Sequence, residues 1–319
     1  MRRPSSFRPR WAPMRFGPQT AARVQSCSCA RACGGRKVVT MTKRPDDGRE
    51  ERGRSLPAAV FSDVDGTLLD ASHRVSPRTA AAARELEARG IPLVLVSARM
   101  PEALDQIRRE LGNVGPVVCY GGAYVLDAAG AELLSRPIAL GCALEVRDYV
   151  VCALPDVCCM AYGYHTWVTS DRSDPRVARE ERIVGVESVE GTLEEHFSER
   201  GLHKFLLVGE PASVERAERE LGAAFPNLAV VRSSPILCEV MDGRVSKAEG
   251  VEAVCQHLGV SAADAAAFGD GRNDIDMLRA VGESWAMANA PAEVRDAASR
   301  VTALDNDHDG LAETIFSLI

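Results

Sequence analysis

Short apolar runs separated by Ala-, Glu- and Arg-rich stretches constrain this chain more than any other feature. Residues 91–96, Ile-Pro-Leu-Val-Leu-Val, carry no charge on either side of the chain, as a strand buried on both faces requires. The spacing predicts a helix over 77–89, stopped by Gly90, and another over 101–111, stopped by Gly112. Residues 58–62 and 117–120 are two more short apolar strands. The same rhythm returns near the end of the chain. Helices are expected over 246–258 (with Ser246 as N-cap and Gly259 as stop), 273–280, 292–298 and 310–318, and strands over 265–268, 284–287 and 300–302. Strand–helix alternation of this kind predicts an α/β fold, a parallel sheet with helices on both faces.

The alternation is interrupted between about residues 128 and 236. That stretch holds helical segments at 141–152 and 211–224 and strand candidates at 158–164, 204–208 and 229–232. It is large enough to fold as its own small α/β unit. Set between two halves of a sheet domain, 57–127 and 237–319, it would act as a lid. Residues 45–57 are polar and charged and read as a linker.

The chain has 319 residues and a formal charge of −7, which argues against a nucleic-acid partner for its body. No apolar run approaches the ~20 residues of a transmembrane helix, and no membrane partner is expected. The charge is uneven. Arginines are frequent in the first 45 residues, and the first acids are Asp46 and Asp47. An Arg- and Ser-rich, acid-free leader has the composition of an organelle transit peptide. The expectation preferred here is that 1–56 is disordered or lies partly upstream of the true start, for which Met41 is a candidate, and that the protein is cytoplasmic. Of ten cysteines, Cys27, Cys29 and Cys33 lie in this leader. The other seven fall in apolar runs and are read as core packing in a reducing compartment.

The chemistry sits at strand ends. Asp63 and Asp65 close the first apolar run, two positions apart, before Gly66-Thr67. In a strand, that spacing sends both carboxylates the same way. Ser97 follows the run at 91–96, Lys247 opens a helix after a strand-like run at 236–241, and Gly269-Asp270-Gly271-Arg272-Asn273-Asp274 follows the run at 265–268. The carboxyl ends of strands are where open α/β sheets bind ligands.

Together, these four segments resemble the four motifs of the haloacid dehalogenase (HAD) superfamily. The layout is most similar to its Cof-type phosphatases, which carry an α/β cap between the second and third motifs. The resemblance covers about residues 58–319 and includes 286–290 and 305–310. It implies a Rossmann-like HAD core with an inserted cap, and Mg²⁺-dependent hydrolysis of small phosphate monoesters such as sugar phosphates. It implies Asp63 as the nucleophile that forms an aspartyl-phosphate and Asp65 as general acid and then base. Asp63, Asp270, Asp274 and the backbone carbonyl of Asp65 are the implied metal ligands. Ser97, Lys247 and Asn273 are the implied phosphate-binding groups. The physical chemistry agrees: an ionised carboxylate needs no base to attack, but an anionic ester approaching several carboxylates needs cations beside it.

The sequence departs from the usual pattern at Ser97-Ala98-Arg99, where Gly-Arg commonly follows the hydroxyl residue, and at Gly121, where Asn is usual. Arg99 either reaches substrate or pairs with an acid of the site. Two rivals stand beside the phosphatase: a phosphosugar mutase of the phosphomannomutase kind, and a catalytically silent sugar-phosphate-binding protein. Individual residues have plainer alternatives. Ser97 and Asn273 could each be a helix N-cap and Lys247 a solvated charge. Asp305, Asp307 and Asp309 read as a surface turn rather than a calcium loop. Tyr162, Tyr164, His165 and Trp167 either touch an organic leaving group or pack their own sheet. His203 and His257 are given no role.

Overall fold

A computed structural model describes residues 56–319. The expectations for the leader, including the start at Met41 and the thiols of Cys27, Cys29 and Cys33, lie outside these residues.

The strands are β1 (Val60–Asp63), β2 (Leu93–Val96), β3 (Val117–Cys119), β4 (Tyr124–Leu126), β5 (Glu132–Ser135), β6 (Cys158–Gly163), β7 (Thr166–Thr169), β8 (Val189–Glu190), β9 (Lys204–Val208), β10 (Leu228–Ser234), β11 (Leu237–Asp242), β12 (Ala266–Gly269), β13 (Glu283–Ala286) and β14 (Arg300–Val301). They form two sheets. The first has the order β14-β13-β12-β1-β2-β3-β4-β5, and the second β10-β11-β9-β6-β7-β8. In the first sheet every pairing from β14 to β3 is parallel, and only β3–β4 and β4–β5 are antiparallel. β1 lies between β2 and β12, so the strand order reverses beside it. Such a reversal opens a crevice at the carboxyl ends of the strands.

Ten helices complete the described residues: α1 (Pro77–Ala88), α2 (Pro101–Leu111), α3 (Leu140–Ala153), α4 (Pro175–Val184), α5 (Leu193–His196), α6 (Pro211–Ala224), α7 (Lys247–Leu258), α8 (Ile275–Ala280), α9 (Ala292–Ala297) and α10 (Gly310–Leu318). Period-2 alternation divides the core of the first sheet. Leu93 and Leu95 pack with Leu86, Leu104 and Ile315 from α1, α2 and α10. Phe61, Val94 and Val96 pack on the other side with Val251, Met277 and Val294 from α7, α8 and α9. The expected caps are present. The Ser246 hydroxyl accepts from the Glu249 amide at 3.1 Å, and Gly112 and Gly259 close α2 and α7 in the left-handed conformation.

The second sheet buries one face. Phe205, Leu207 and Val240 pack against Val146 and Val150 of α3 and Val214 and Leu221 of α6. Its other face turns Met160, Tyr162 and Leu206 toward the core of the first sheet. His203 sits at the junction, fully buried. Its Nδ1 accepts from the Tyr164 amide at 3.1 Å and its Nε2 lies 3.0 Å from the Ser135 hydroxyl. Its ring stacks on Tyr120 at 5.4 Å. Burial holds its pKa down at about 3, so the imidazole is neutral.

Several expectations are corrected. β5 lies within 128–236 yet pairs in the first sheet, because the Asp127 carboxylate accepts from the amides of Ala129 and Ala131 and folds 124–135 into a hairpin. β11 lies beyond 236 yet pairs with β10 and β9 in the second sheet. Lys247 therefore follows a strand of the other sheet and reaches the first sheet through α7. The helix expected over 273–280 begins as a 3₁₀ turn at Arg272–Asp274 and becomes α-helical from Ile275. The Asp274 carboxylate, folded back onto the amides of Asp270 and Gly271, holds that turn. Cys152 is exposed, while Cys119, Cys158, Cys238 and Cys255 are buried as expected.

Candidate active site

β1 delivers Asp63 to the crevice, buried, with Gly66 behind it at φ +81°. A larger residue at position 66 would displace Asp270. A Cβ there would lie 2.4 Å from the Asp270 carboxylate, and a side chain strains that backbone. β12 ends at Gly269 and presents Asp270 beside β1, with which it pairs in parallel. Asp274 reaches the same point from the 3₁₀ turn. Ligand oxygens of Asp63, Asp270 and Asp274 all lie within 4.8 Å of one another.

Lys247 is the first residue of α7, with its side chain 1 % exposed. Its Nζ donates to Asp63 Oδ1 and Asp274 Oδ1, each at 2.5 Å. The helix N-terminus carries partial positive charge and disfavours a cation there. The two carboxylates reverse that preference, and Lys247 is held well above the ordinary lysine range, opposing its own desolvation. A solvated charge is thereby excluded. The helix approaches this closely because residue 122 is glycine, where a Cβ would meet the Ser246 carbonyl at 2.1 Å.

One ammonium faces three carboxylates, and the imbalance appears in the acidity of Asp63 and Asp270. Burial pushes the Asp63 pKa well up, Asp274 adds to the rise, and Lys247 opposes it. Burial raises Asp270 to about 6, although the Thr67 hydroxyl donates to its Oδ1 at 2.9 Å. Buried carboxylates short of positive charge suit a hard divalent cation that prefers oxygen ligands. This donor set therefore fits Mg²⁺.

Asp65 belongs to a different arrangement. It is exposed, and Arg99 grips it with Nε at 2.9 Å and Nη2 at 2.6 Å, while His73 Nδ1 lies 3.2 Å away. Partial desolvation by the surrounding protein would raise its pKa even though its side chain is 44 % exposed, but the Arg99 hydrogen bonds and charge outweigh that and hold it below the usual range. Of the two roles open to Arg99, pairing with an acid of the site is the one observed.

Ser97 is buried at the end of β2, and its hydroxyl accepts from the Arg99 amide at 3.2 Å. The N-cap of α2 is Met100, so capping does not explain Ser97. Asn273 is exposed and lines, with Lys247, Ala98 and Gly121, a cavity of about 940 Å³. The opposite wall comes from β10 and β11: Ala229, Val231, Ser233, Glu239 and Met241. Neither strand was assigned site residues from the sequence.

The aromatic group packs instead of lining this cavity. Tyr162 and Trp167 are buried and stacked at 5.0 Å. Tyr164 and His165 pack edge-on against Tyr124 of the first sheet. The three acids near the C-terminus brace loops. Asp305 caps a turn by accepting from His308, Asp307 accepts from the Ala71 amide at 2.7 Å, and Asp309 accepts from the Ser76 hydroxyl at 2.5 Å. No helix of the described residues is long and apolar enough to cross a membrane.

Three comparisons bear on this geometry. The family model of haloacid dehalogenase-like hydrolases matches residues 60–315. A Haemophilus influenzae protein provisionally named a phosphatase is 34% identical over 80% of this chain and 95% of its own length. A haloacid dehalogenase-like hydrolase of Bacteroides thetaiotaomicron superposes with a TM-score of 0.76 at 25% identity, covering 82% of this chain and all of that one. A second protein of that organism, BT1666, described among phosphatases of the same superfamily, gives 0.71 at 25% identity over 86% of this chain and all of its own.

Proposed function

This chain belongs to the haloacid dehalogenase-like hydrolases and is a phosphatase, and on that premise we propose that it hydrolyses small phosphate monoesters, sugar phosphates among them, with Mg²⁺ and through an aspartyl-phosphate on Asp63. The observation that carries this reading is the gathering of three carboxylates, Asp63 and Asp274 buried and Asp270 half-buried, around a single buried ammonium.

Asp63, Asp270, Asp274 and the Asp65 carbonyl would hold the ion. When bound, Mg²⁺ supplies the positive charge that lets a phosphate dianion approach an anionic nucleophile. The remaining work falls to the side chains. Lys247 engages Asp63 Oδ1, which leaves Oδ2 to attack phosphorus. As that bond forms, the ester P–O bond breaks and the leaving oxygen takes a proton from Asp65. Asp65 then takes a proton from water, whose oxygen attacks phosphorus. Inorganic phosphate leaves and the Asp63 carboxylate is restored. Ser97, Lys247 and Asn273 hold the phosphoryl oxygens and stabilise their charge.

Asp65 takes up its role only when Arg99 and His73 release it, because their pairing keeps it ionised and turned to solvent. The second sheet, with the helices on its outer face, is proposed as the cap. It covers the crevice, selects the leaving group and limits water.

The test is phosphate release from a panel of phosphorylated metabolites, with Mg²⁺ and after exhaustive chelation. Release that stops on chelation and returns with Mg²⁺ is expected. Isomer formation without phosphate release would favour the mutase. Tight ester binding without any turnover would favour the silent binding protein.

A further inference from the structure

Resting on that reading, we propose that Glu239 is the specificity-determining residue of the site. It accepts hydrogen bonds from the hydroxyls of a polyol leaving group. Glu239 projects from β11 into the cavity above Lys247. The chain alternates there: Cys238 and Val240 pack toward α3 and α6, while Glu239 and Met241 face the cavity.

Three acids line this cavity, and two are already engaged. Glu218 pairs with Arg232 at 3.4 Å and also accepts from the Arg232 amide. Asp276 accepts from the amides of Ala248 and Met277. Glu239 has an ammonium, Lys204 Nζ, at 3.6 Å, beyond good hydrogen-bond length. Its side chain is only 13 % exposed, so little bulk water reaches its oxygens. A nearly buried carboxylate without short donors calls for donors from whatever fills the cavity.

The cavity holds charge of both signs, because Lys247, Arg232, Arg272 and Arg279 line it together with the three acids, so it is the free acceptor at Glu239 and not the net charge that narrows the ligand. The apolar neighbours Val231 and Met241 suit the C–H surface of a sugar or reduced sugar. Lys204 also joins this recognition to the phosphate site. Its Nζ donates to the carbonyl of Ala98, the residue after Ser97, at 2.7 Å.

The experiment compares kcat/KM for two esters, p-nitrophenyl phosphate and a hexose 6-phosphate, in wild type, Glu239→Ala and Glu239→Gln. The wild type should prefer the hexose ester. In Glu239→Ala, the ratio of the hexose ester to p-nitrophenyl phosphate should fall roughly ten- to a hundredfold. Glu239→Gln keeps one acceptor and should recover part of that ratio. A merely structural role would lower both esters together, and that result, or an unchanged ratio, overturns the inference. A wild type that turns over p-nitrophenyl phosphate but not the hexose ester also overturns it, with the phosphatase reading intact. Silence on both esters brings down both readings.

Discussion

The two sheets put side chains to work in different ways. In the first, parallel strands end on a common edge, and the residues at or just past those ends converge: Asp63 closing β1, Ser97 after β2 and Asp270 after β12. In the second, antiparallel strands cross the crevice side-on, and the residues over the site come from strand interiors, Val231 from β10 and Glu239 and Met241 from β11. A parallel edge concentrates charge where backbone amides and helix N-termini also point. An antiparallel face offers alternate side chains on a pleated surface, most of them apolar. The first arrangement suits reaction chemistry, and the second suits choice among substrates.

The sharpest way to break this division is at Asp63. Asp63→Asn keeps size and removes the nucleophile, and phosphate release should fall at least about a thousandfold, in line with losses at covalent nucleophiles. Circular dichroism should show the fold retained. Turnover near wild type would place the chemistry elsewhere.

A second pair of variants contrasts the forces holding the two sheets. Lys247→Met leaves two buried carboxylates facing each other and should cost about 3–5 kcal/mol, the usual consequence of breaking a buried ion pair. Urea unfolding should show that cost shrinking when Mg²⁺ is added, because the ion replaces the lost charge. Phe205→Ala, in the core beneath the second sheet, should cost a similar about 3–5 kcal/mol through the cavity it leaves. That loss should be indifferent to Mg²⁺. If both variants respond equally to the ion, the separation between charge in one sheet and packing in the other is mistaken.

The smallest effect is at the junction. His203 titrates near 6.5 when unfolded but is held at about 3 when folded. Below pH 6.5 the unfolded chain therefore binds the extra proton. Stability should fall as pH drops from about 6.5 toward 3, by at most about 1.4 kcal/mol per pH unit from this group. His203→Asn should flatten that slope in denaturant melts between pH 7 and 5. An unchanged slope would mean that the imidazole is not the group resisting protonation.

The same contrast explains what the sequence reveals. The motif residues of the first sheet are readable because each follows a compact apolar run, and the elements around them are punctuated by glycines, as at Gly66, Gly90 and Gly112. Helix limits at 101–111 and 310–318 agree with the structure for that reason. The hairpin of β4 and β5 was missed because three- and four-residue strands have too few positions to show a period. The transfer of β11 to the second sheet is invisible for a different reason: pairing partners are chosen across the fold. Glu239 has no local signature, since one acid in a strand reads as a solvated face until the opposite wall is known. His203 likewise becomes informative only when Tyr164, Ser135 and Tyr120 surround it. Asp65 was legible as an acid of the site but not as the partner of Arg99, because that pairing depends on side-chain orientation.

The central claim is that the carboxylates of Asp63, Asp270 and Asp274 are gathered to hold a divalent cation. Calorimetric titration of Mg²⁺ into wild type and Asp270→Asn, under identical buffer and salt, tests it directly. The expected result is one ion bound per wild-type chain and a loss of that binding, at least about tenfold in affinity, in the variant. Equal binding by the two proteins, or none by the wild type, would contradict the account.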